Sequence, residues 1–359
     1  MLQFVLGRAG SGKTEYVRRL LADRARAGEG PSMLLVPEQY TFETEKAMLR
    51  LAGPVGGNAI PVYSFTRLAE AVFRREGGAV GRRLTEGGRR ILMARAVEAC
   101  QDRLELYQSA AQSGRINDLM LSAVNEMKLC GISPEQLLDL SRTLENRGLA
   151  QKLRELSLVY GTYEALVGAS YLDSRDDLTR LAQTLETSSF FQGCTVAVDS
   201  FEGFTAQELR VLAQILRRAE RVVVALCTDG LDQTGTGLFA LVDRTRRRLS
   251  ALAGENGVSV EPPVVLTGAP RFREENLKLV ESQLFCAQEI LTSPDQEGVV
   301  VFEARDPYEE AEFAAATIRR LVQEEGFRYR EFSLICRDPD RYYGCLDAAL
   351  KRREIPCFM

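Results

Sequence analysis

One segment near the N-terminus has the residue types and the spacing needed to hold a chain of phosphates. Residues 7–14 fit the pattern G-x-x-x-x-G-K-[ST]. The glycines let backbone N–H groups turn inward around phosphates, and the dipole of a following helix favours anions. The lysine can reach the terminal phosphates, and the threonine hydroxyl can bind Mg²⁺. The predicted ATP contacts are Gly7, Arg8, Ala9, Gly10, Ser11, Gly12, Lys13 and Thr14, with Thr14 also a Mg²⁺ ligand.

A phosphate-binding loop of this kind works with an acid on a neighbouring strand that holds the metal, and often with a second carboxylate that orients water. Asp199 ends an apolar run and is the candidate for the metal-binding acid. The next residue is Ser200 rather than glutamate, and Glu202 follows two positions later. We therefore predict Asp199 as a second Mg²⁺ ligand, and Asp199 and Glu202 as the catalytic pair. A helix cap or a surface acid is the alternative for Asp199.

The composition excludes several other kinds of site. The chain has no histidine, which rules out histidine bases, Ser-His triads and the common zinc sites. Its eight cysteines are scattered without a C-x-x-C pair, which favours buried apolar roles over a metal or disulfide framework. No apolar run is long enough to cross a bilayer, and the N-terminus does not read as a signal peptide. We expect a cytoplasmic protein with no membrane partner.

Arginines are unevenly distributed in a chain whose net charge, −4, does not by itself indicate a nucleic-acid binder. One cluster consists of Arg74, Arg75, Arg82, Arg83, Arg89 and Arg90. A second consists of Arg244, Arg246, Arg247 and Arg248. Runs of charge are usually solvated faces, and contact with phosphates is the alternative.

The elements that must position these residues alternate between strand and helix. Apolar strands are predicted over 2–6, 33–36 and 60–63, with helices over 13–27 and 41–51 and Ser64 as the cap of the helix that follows. Such alternation indicates a parallel sheet covered on both faces. Apolar residues at three- and four-residue spacing from about 85 to 188 then predict an all-helical insertion without strands.

Alternation resumes after the insertion. The predicted strands are 195–199, 221–227, 264–266, 299–302 and 332–336. The predicted helices are 204–216, 237–253, 275–291, 308–323 and 341–351, with a hinge at 293–298. Because the last domain looks unfinished, we expect the chain to be a fragment of a longer protein.

Four ordered segments resemble the AddB family, which supplies one of the two subunits of the bacterial ATP-dependent helicase/deoxyribonuclease AddAB. They are the loop at 7–14, Val36-Pro37-Glu38-Gln39, the segment 63–69 and the segment 198–204. Further along, 311–318, 333–337 and Ile355-Pro356 are similar to the opening of the second motor domain of superfamily 1 helicases. The resemblance spans the chain, although the insertion matches only in type.

The resemblance implies an α/β fold with a RecA-like P-loop motor domain (1–84 and 189–292), a helical insertion (85–188) and the start of a second RecA-like domain (293–359). It implies ATP and Mg²⁺ as cofactors, and an AddA-type partner subunit that supplies the motor. Double-strand DNA ends and single-stranded DNA are the implied ligands, in recombinational repair. In the full-length family a nuclease domain with a 4Fe–4S cluster lies beyond this segment, so no cysteine here is assigned to that cluster.

The resemblance also suggests where DNA binds, because in related helicases the motif after the third strand touches DNA. Together with the first arginine cluster, it predicts DNA contacts by Phe65, Arg67, Arg82, Arg83, Arg89 and Arg90. An aromatic ring such as that of Phe65 can stack on a base. The alternative is that Phe65 belongs to the core.

The sequence departs from an active helicase at the metal-binding acid, because superfamily 1 helicases carry Asp-Glu where this chain has Asp199-Ser200. We therefore predict that ATP is bound but poorly hydrolysed. Two other functions remain open. One is a stand-alone, kinase-like nucleotide enzyme with a helical lid, and the other is a DNA-binding scaffold with a vestigial loop.

Overall fold

The computed structural model describes residues 1–78, 81–112, 115–229, 237–285 and 298–357. The chain divides into two compact units, Met1–Arg273 and Glu274–Met359. None of the helices in the described ranges is long and apolar enough to cross a membrane.

A parallel sheet of six strands, in the order β3-β2-β6-β7-β1-β8, is the framework of the first unit. Two further strands, β4 and β5, form a short parallel ladder. The strands are β1 (Leu2–Gly7), β2 (Ser32–Leu35), β3 (Val62–Tyr63), β4 (Arg82–Arg83), β5 (Tyr171–Leu172), β6 (Thr195–Val198), β7 (Arg221–Cys227) and β8 (Val264–Val265).

Helices cover both faces of this sheet, as the alternating pattern predicts. In β7, Val222 and Val224 face one core while Val223 and Ala225 face the other, which is the two-residue period of a strand. The helices of the first unit are α1 (Lys13–Ala27), α2 (Thr41–Asn58), α3 (Phe65–Glu76), α4 (Glu86–Cys100), α5 (Gln108–Gln112), α6 (Asn117–Cys130), α7 (Pro134–Thr143), α8 (Arg147–Gly168), α9 (Asp177–Leu185), α10 (Ala206–Arg218) and α11 (Ala240–Glu255).

The register brings the carboxyl ends of three central strands to one edge of the sheet. Gly7 at the end of β1 pairs with Cys227 at the end of β7. Val198 at the end of β6 pairs with Val224. Because ligands of open parallel sheets bind outside the carboxyl ends of the strands, this edge is where a site is expected.

Between α3 and β6 the chain is almost entirely helical, with a core of its own that includes Met93, Val124, Val159 and Tyr163. The prediction that no strand lies within 85–188 was wrong at β5, which pairs with β4. A two-residue strand is too short to show an alternating pattern, and its partner lies far away in the sequence.

The second unit contains α12 (Glu275–Gln283), α13 (Pro307–Glu324), α14 (Pro339–Tyr342) and α15 (Cys345–Arg352). Helix α13 packs on α15 through Ala311, Ala315 and Leu350. Most of the predicted hinge, and the end of the helix predicted over 275–291, lie outside the described residues.

The strands predicted over 299–302 and 332–336 were wrong, because neither segment forms a strand. Val301 and Ile335 are 93% and 95% exposed, and no strand pairs with either segment within the described part of the second unit. A β-strand needs a neighbour to hydrogen-bond, and apolar sequence alone does not supply one.

Candidate nucleotide site

The loop between β1 and α1 leaves backbone N–H groups free for an anion. Gly10 and Gly12 have φ angles of 75° and 92°, in the left-handed region that favours glycine. Gly12 caps α1 without a side-chain hydrogen bond. Among the described residues, no capping side chain accepts from the first N–H groups of the helix, and such free N–H groups at a helix N-terminus can bind phosphate.

The loop is packed tightly from behind by the chain that follows β8. A Cβ atom on Gly7 would lie 2.9 Å from the carbonyl oxygen of Leu266, and one on Gly10 would lie 2.9 Å from Cε2 of Phe272. The N–H of Arg271 donates to the carbonyl oxygen of Gly10 at 3.3 Å. Glycine is thus required at both positions by close packing as well as by access to phosphate. This backing segment was not predicted from the sequence.

Within the described residues, two side chains of the loop, those of Lys13 and Ser11, have no charged partner. Lys13 Nζ donates to the carbonyl oxygen of Arg8 at 2.8 Å. Ser11 Oγ is buried and has no hydrogen-bond partner among the described residues. Phosphate oxygens could accept from both groups, and a carbonyl is a weaker acceptor than an anion.

The loop is also joined to the end of β7 and to α11. The N–H of Thr228 donates to the carbonyl oxygen of Gly7 at 3.2 Å. The Thr228 hydroxyl donates to Asp243 Oδ1 at 3.1 Å, and both residues are fully buried. Arg8 lies 3.9 Å from Asp229 and 5.2 Å from the centre of the Phe239 ring. These contacts hold the loop against the end of β7 and the start of α11.

Asp199 follows β6 directly and is 4% exposed. Its N–H donates to the carbonyl oxygen of Leu35 at 3.0 Å, and the Ser200 hydroxyl donates to its Oδ2 at 3.3 Å. Asp199 is neither a surface acid nor the cap of α10, since Thr205 caps that helix. Carboxylate and hydroxyl oxygens of this kind suit Mg²⁺.

The strand that carries Asp199 is not the neighbour of β1. Strand β7 lies between β1 and β6, so the predicted adjacency was wrong. Two strand spacings place the two strands about 10 Å apart. Strand order in a parallel sheet depends on long crossover connections. It therefore cannot be predicted from the local sequence.

Glu202 is exposed and lies in the turn that follows β6. It lines a cleft of about 290 Å³ with Arg244, Thr245 and Arg248 of α11. The Thr245 hydroxyl donates to the backbone carbonyl of Glu202 at 2.8 Å. Ser200, with a φ of 67°, forms the turn that directs the chain toward this cleft.

Comparison with known proteins identifies the family. The family model described as "ADDB, N-terminal" matches residues 4–281. The chain belongs to the AddB N-terminal family. This confirms the resemblance on which the sequence analysis relied.

Three AddB relatives are each named as a subunit of an ATP-dependent helicase/deoxyribonuclease. The one from Thermoanaerobacter sp. (strain X514) is 34% identical over 364 residues. Those from Desulforudis audaxviator (strain MP104C) and Pelotomaculum thermopropionicum (strain DSM 13744 / JCM 10971 / SI) are 36% identical over 368 and 373 residues. Each alignment covers 100% of this chain and 32% of the relative, so the chain spans about a third of their length.

The AddB motif after β3 is held in the interior. Phe65 is 6% exposed, and its ring meets those of Phe201 and Phe204 edge-on at centroid distances of 5.7 and 6.4 Å. This is the core position that the sequence left open as an alternative to base stacking. Arg67 is partly exposed and pairs with Glu45 at 2.7 Å.

The first arginine cluster does not form one exposed row. Arg89 is 2% exposed and lies 3.4 Å from Asp173 and 3.0 Å from Glu86, so it is not available to a DNA phosphate. Adjacent helical residues point about 100° apart, and Arg90 is accordingly exposed. The remaining four members are exposed, and one of them, Arg83, pairs with Asp177 at 3.0 Å. They are Arg74, Arg75, Arg82 and Arg83.

A buried ionic cluster in the helical insertion was missed. Lys128 Nζ lies 2.7 Å from Glu164, 3.2 Å from Asp173 and 2.7 Å from Asp176, and its side chain is 2% exposed. Burial alone would lower the pKa of Lys128, but the three carboxylates together raise it. The signal in the sequence was a lysine at four-residue spacing after the buried Met120 and Val124.

The acids of this cluster differ in their pKa values. Burial would raise the pKa of Asp173, but attraction to Lys128, a hydrogen bond from the N–H of Arg175 and attraction to Arg89 together hold that pKa below its ordinary value. Burial raises the pKa of Asp176 and of Glu164, and Lys128 offsets only part of this effect. Lys128 is therefore the charge on which the whole cluster depends.

The described residues contain no group of three or more histidine, cysteine, aspartate or glutamate side chains that could hold a metal ion by themselves. Mg²⁺ in nucleotide sites keeps several waters and uses one or two protein oxygens plus the phosphates. The buried carboxylate of Asp199 and the hydroxyl of Thr14 fit that requirement.

Proposed function

We propose that this chain is the ATP- and DNA-binding N-terminal part of a helicase–deoxyribonuclease subunit that processes double-strand DNA ends for recombinational repair. The observation that carries the proposal is the turn from Gly7 to Thr14, which lies at the same edge of a parallel sheet as the buried Asp199. The membership of the AddB N-terminal family supports the wider assignment.

At the nucleotide site, the loop backbone and Lys13 would hold the phosphates of ATP. Lys13 would exchange the carbonyl of Arg8 for a phosphate oxygen. Thr14 and Asp199 would hold Mg²⁺, which neutralises phosphate charge when bound. The roughly 10 Å between the two strands leaves room for the metal and the phosphates between Asp199 and the loop.

The same observations support a RecA-like motor domain formed by 1–84 and 189–292. One strand separates the loop strand from the acid strand, and helices cover both faces. Residues 85–188 would be an insertion in this domain, and 293–359 the beginning of a second RecA-like domain.

We further propose that the site binds ATP far better than it hydrolyses it. Hydrolysis needs a carboxylate to position water beside the metal-binding acid. Ser200 stands at that position, and Glu202 faces the cleft beside α11. Loss of a catalytic acid–base group costs about 10²- to 10⁴-fold in rate.

The names of the relatives support the proposed partner and DNA ligand. Each relative is named as one subunit of a helicase/deoxyribonuclease, which implies at least one other subunit, and we propose that this partner is an AddA-type motor. Arg67, Arg82, Arg83 and Arg90 are accessible and would contact DNA, whereas Arg89 is excluded by burial. The nuclease domain and its iron–sulfur cluster would lie in the part of the subunit that this chain does not span.

Nucleotide binding by the Lys13→Ala variant tests the assignment. Loss of a charge-assisted contact should weaken ATP binding about 10- to 100-fold. Lys46→Ala is the matched control, because Lys46 is an exposed lysine on α2. Binding of a fluorescent ATP analogue with Mg²⁺ gives the affinity. Equal affinity of the Lys13 variant and the control would show that this loop is not the nucleotide site.

A steady-state ATPase assay with single-stranded DNA tests the second proposal. Turnover should stay well below the range of about 1–100 per second that active phosphoryl-transfer enzymes reach. Glu202→Gln should leave it unchanged. Rapid turnover that Glu202→Gln abolishes would identify Glu202 as the base and contradict a degenerate site.

A further inference from the structure

Helix α11 has an exposed row of positive charge. Arg244, Arg247 and Arg248 lie within a 100° sector of the helix and are all exposed. We name these three residues the α11 arginine face. Within the described parts of the chain, Arg244 and Arg248 have neither an ion pair nor a hydrogen bond through their side chains. Arg246 differs, because it turns toward the buried Asp243 at 3.5 Å.

The positive charge is local. The chain as a whole has a net charge of −4, yet α11 contains four arginines against Asp243 and Glu255. Asp243 is fully buried, where it accepts from Thr228, so it does not screen the outer face. A solvated arginine usually finds a neighbouring carboxylate in a chain this acidic, and the α11 arginine face has only Glu202 nearby among the residues that line the adjacent cleft.

The shape beside the face is a shallow cleft. Arg244 and Arg248 line the cleft of about 290 Å³ together with the buried Leu209 and the exposed Leu241. Four residues of helix separate the two guanidinium groups by about 6 Å along the axis, so they can reach two different phosphates of one strand. Guanidinium groups bind phosphate oxygens through paired N–H donors.

The position of the face is fixed by a buried connection to the nucleotide loop. Thr228 donates through its N–H to Gly7 and through its hydroxyl to Asp243, the residue before Arg244. A site whose charged groups stand on a rigid, anchored helix loses little entropy when it binds a ligand.

We propose that the α11 arginine face binds the phosphodiester backbone of single-stranded DNA. The proposal rests on the proposed function for the identity of the polyanion. The arginines are aligned along a helix, and a linear chain of phosphates matches them better than the scattered carboxylates of a protein surface. Glu202, at the same cleft, opposes binding and limits its strength.

The experiment measures binding of a fluorescein-labelled oligothymidylate to the 359-residue chain across a series of salt concentrations. The double variant Arg244→Ala/Arg248→Ala should bind at least about tenfold more weakly. The slope of log affinity against log salt should become shallower by about 1.4, since each lost contact to a single strand contributes about 0.7. Glu202→Gln should bind more tightly than the unaltered chain.

Two controls separate charge from folding. Arg142→Ala/Arg147→Ala removes two exposed arginines from the helical insertion and should leave both affinity and slope unchanged. Arg244→Lys/Arg248→Lys keeps the charge and should restore the salt slope, with a smaller loss of affinity. Failure of the lysine pair to restore the slope would mean that the alanine pair acts through folding, and it would overturn the proposal.

Other outcomes distinguish this proposal from the nucleotide assignment. If ATP binding depends on Lys13 but DNA binding does not depend on Arg244 and Arg248, the proposal for the α11 arginine face is overturned. The nucleotide assignment then stands. DNA binding that depends on these arginines in a chain that binds no ATP would support the face and remove the nucleotide assignment. Weakened association with a partner subunit, with DNA binding intact, would make the face a protein interface and overturn the proposal.

Discussion

Gly10 is one of the two positions at which the nucleotide loop is packed closely from behind. Its φ is 75°, and the ring of Phe272 leaves no space for a Cβ atom. Two independent requirements, a left-handed backbone and close packing, therefore coincide at one residue.

We predict that Gly10→Ala weakens ATP binding at least about tenfold, because the strain of about 1–2 kcal/mol adds to a displacement of the loop. Adding Phe272→Ala should recover part of the affinity, since it removes the collision but not the strain. Gly28→Ala is the matched control. Gly28 also has a positive φ, 68°, but nothing lies within 4 Å of its Cβ position and it caps the far end of α1.

Nucleotide titration of the three variants, with unfolding curves for each, checks this prediction. Gly28→Ala should lose stability and keep its ATP affinity. If the affinity of Gly10→Ala matched that of Gly28→Ala, backing by Phe272 would have no bearing on the nucleotide.

At the scale of single residues, the sequence predicted what depends on near neighbours. Ser64 caps α3 by accepting from the N–H of Arg67 at 3.2 Å, as expected from residue type and position. The contacts of Gly10 with Phe272 and of Thr228 with Asp243 were not predictable. The first contact joins residues that are far apart in the chain. The second is a buried hydrogen bond, and such bonds do not occur at any fixed spacing along a sequence.

Among the elements, the helical insertion depends on a cluster of charges in its interior. Lys128 of α6 contacts Glu164 of α8 and the acids that follow β5, so it joins three segments. Removing one partner of a buried ionic group leaves the others without compensation, which usually costs about 3–5 kcal/mol.

We predict that Lys128→Met destabilises the chain by about this amount near neutral pH, and by less in acid. In the unaltered chain, the lowered pKa of Asp173 contributes stability above the unfolded pKa, and that contribution is lost as the pH falls. In the variant the pKa values of Glu164 and Asp176, which burial already raises in the unaltered chain, should rise further. Stability is then retained at low pH and lost as the pH rises through them.

Urea unfolding at about pH 4.5 and about pH 7.5 measures the difference. Lys152→Met, which replaces an exposed lysine on α8 outside the cluster, is the control. A deficit that is the same at both pH values would show that the lysine stabilises through packing rather than through charge.

The two strands predicted for the second unit, which did not form, show the limit of predicting elements from sequence. Segments 299–302 and 332–336 carry apolar residues as strands do, but they have no partner strand within residues 298–357. Helices satisfy their own backbone groups, so α13 was predicted to within a residue at each end. A strand is a property of two segments, and one segment cannot specify it.

Over the whole molecule, every contact described for the nucleotide loop lies within the unit Met1–Arg273. We predict that a polypeptide of residues 1–273 folds cooperatively and binds ATP with the affinity of the full chain. ATP at about 100 times its dissociation constant should stabilise it by about 2.7 kcal/mol.

Thermal unfolding with and without ATP–Mg²⁺ provides the measurement. A polypeptide of residues 1–262 is the comparison, because it lacks β8 and the segment that backs Gly7 and Gly10. It should bind ATP more weakly than 1–273. Loss of binding in both polypeptides would show that the second unit contributes to the site.

The pairing of β1 with β7 has a consequence for the synthesis of the protein on the ribosome. Leu2 of β1 pairs with Val222 of β7. A further 220 residues, 222 minus 2, must therefore be synthesised before the strand that carries the nucleotide loop can pair with β7. At synthesis rates of about 5–20 residues per second, that delay is roughly 11 to 44 seconds. During this delay β1 lacks its partner β7. Its apolar residues Leu2, Phe4, Val5 and Leu6, all buried in the folded chain, therefore remain incompletely covered. Nascent chains stalled before Arg221 should therefore be bound by chaperones, and those stalled after β7 has emerged should be released.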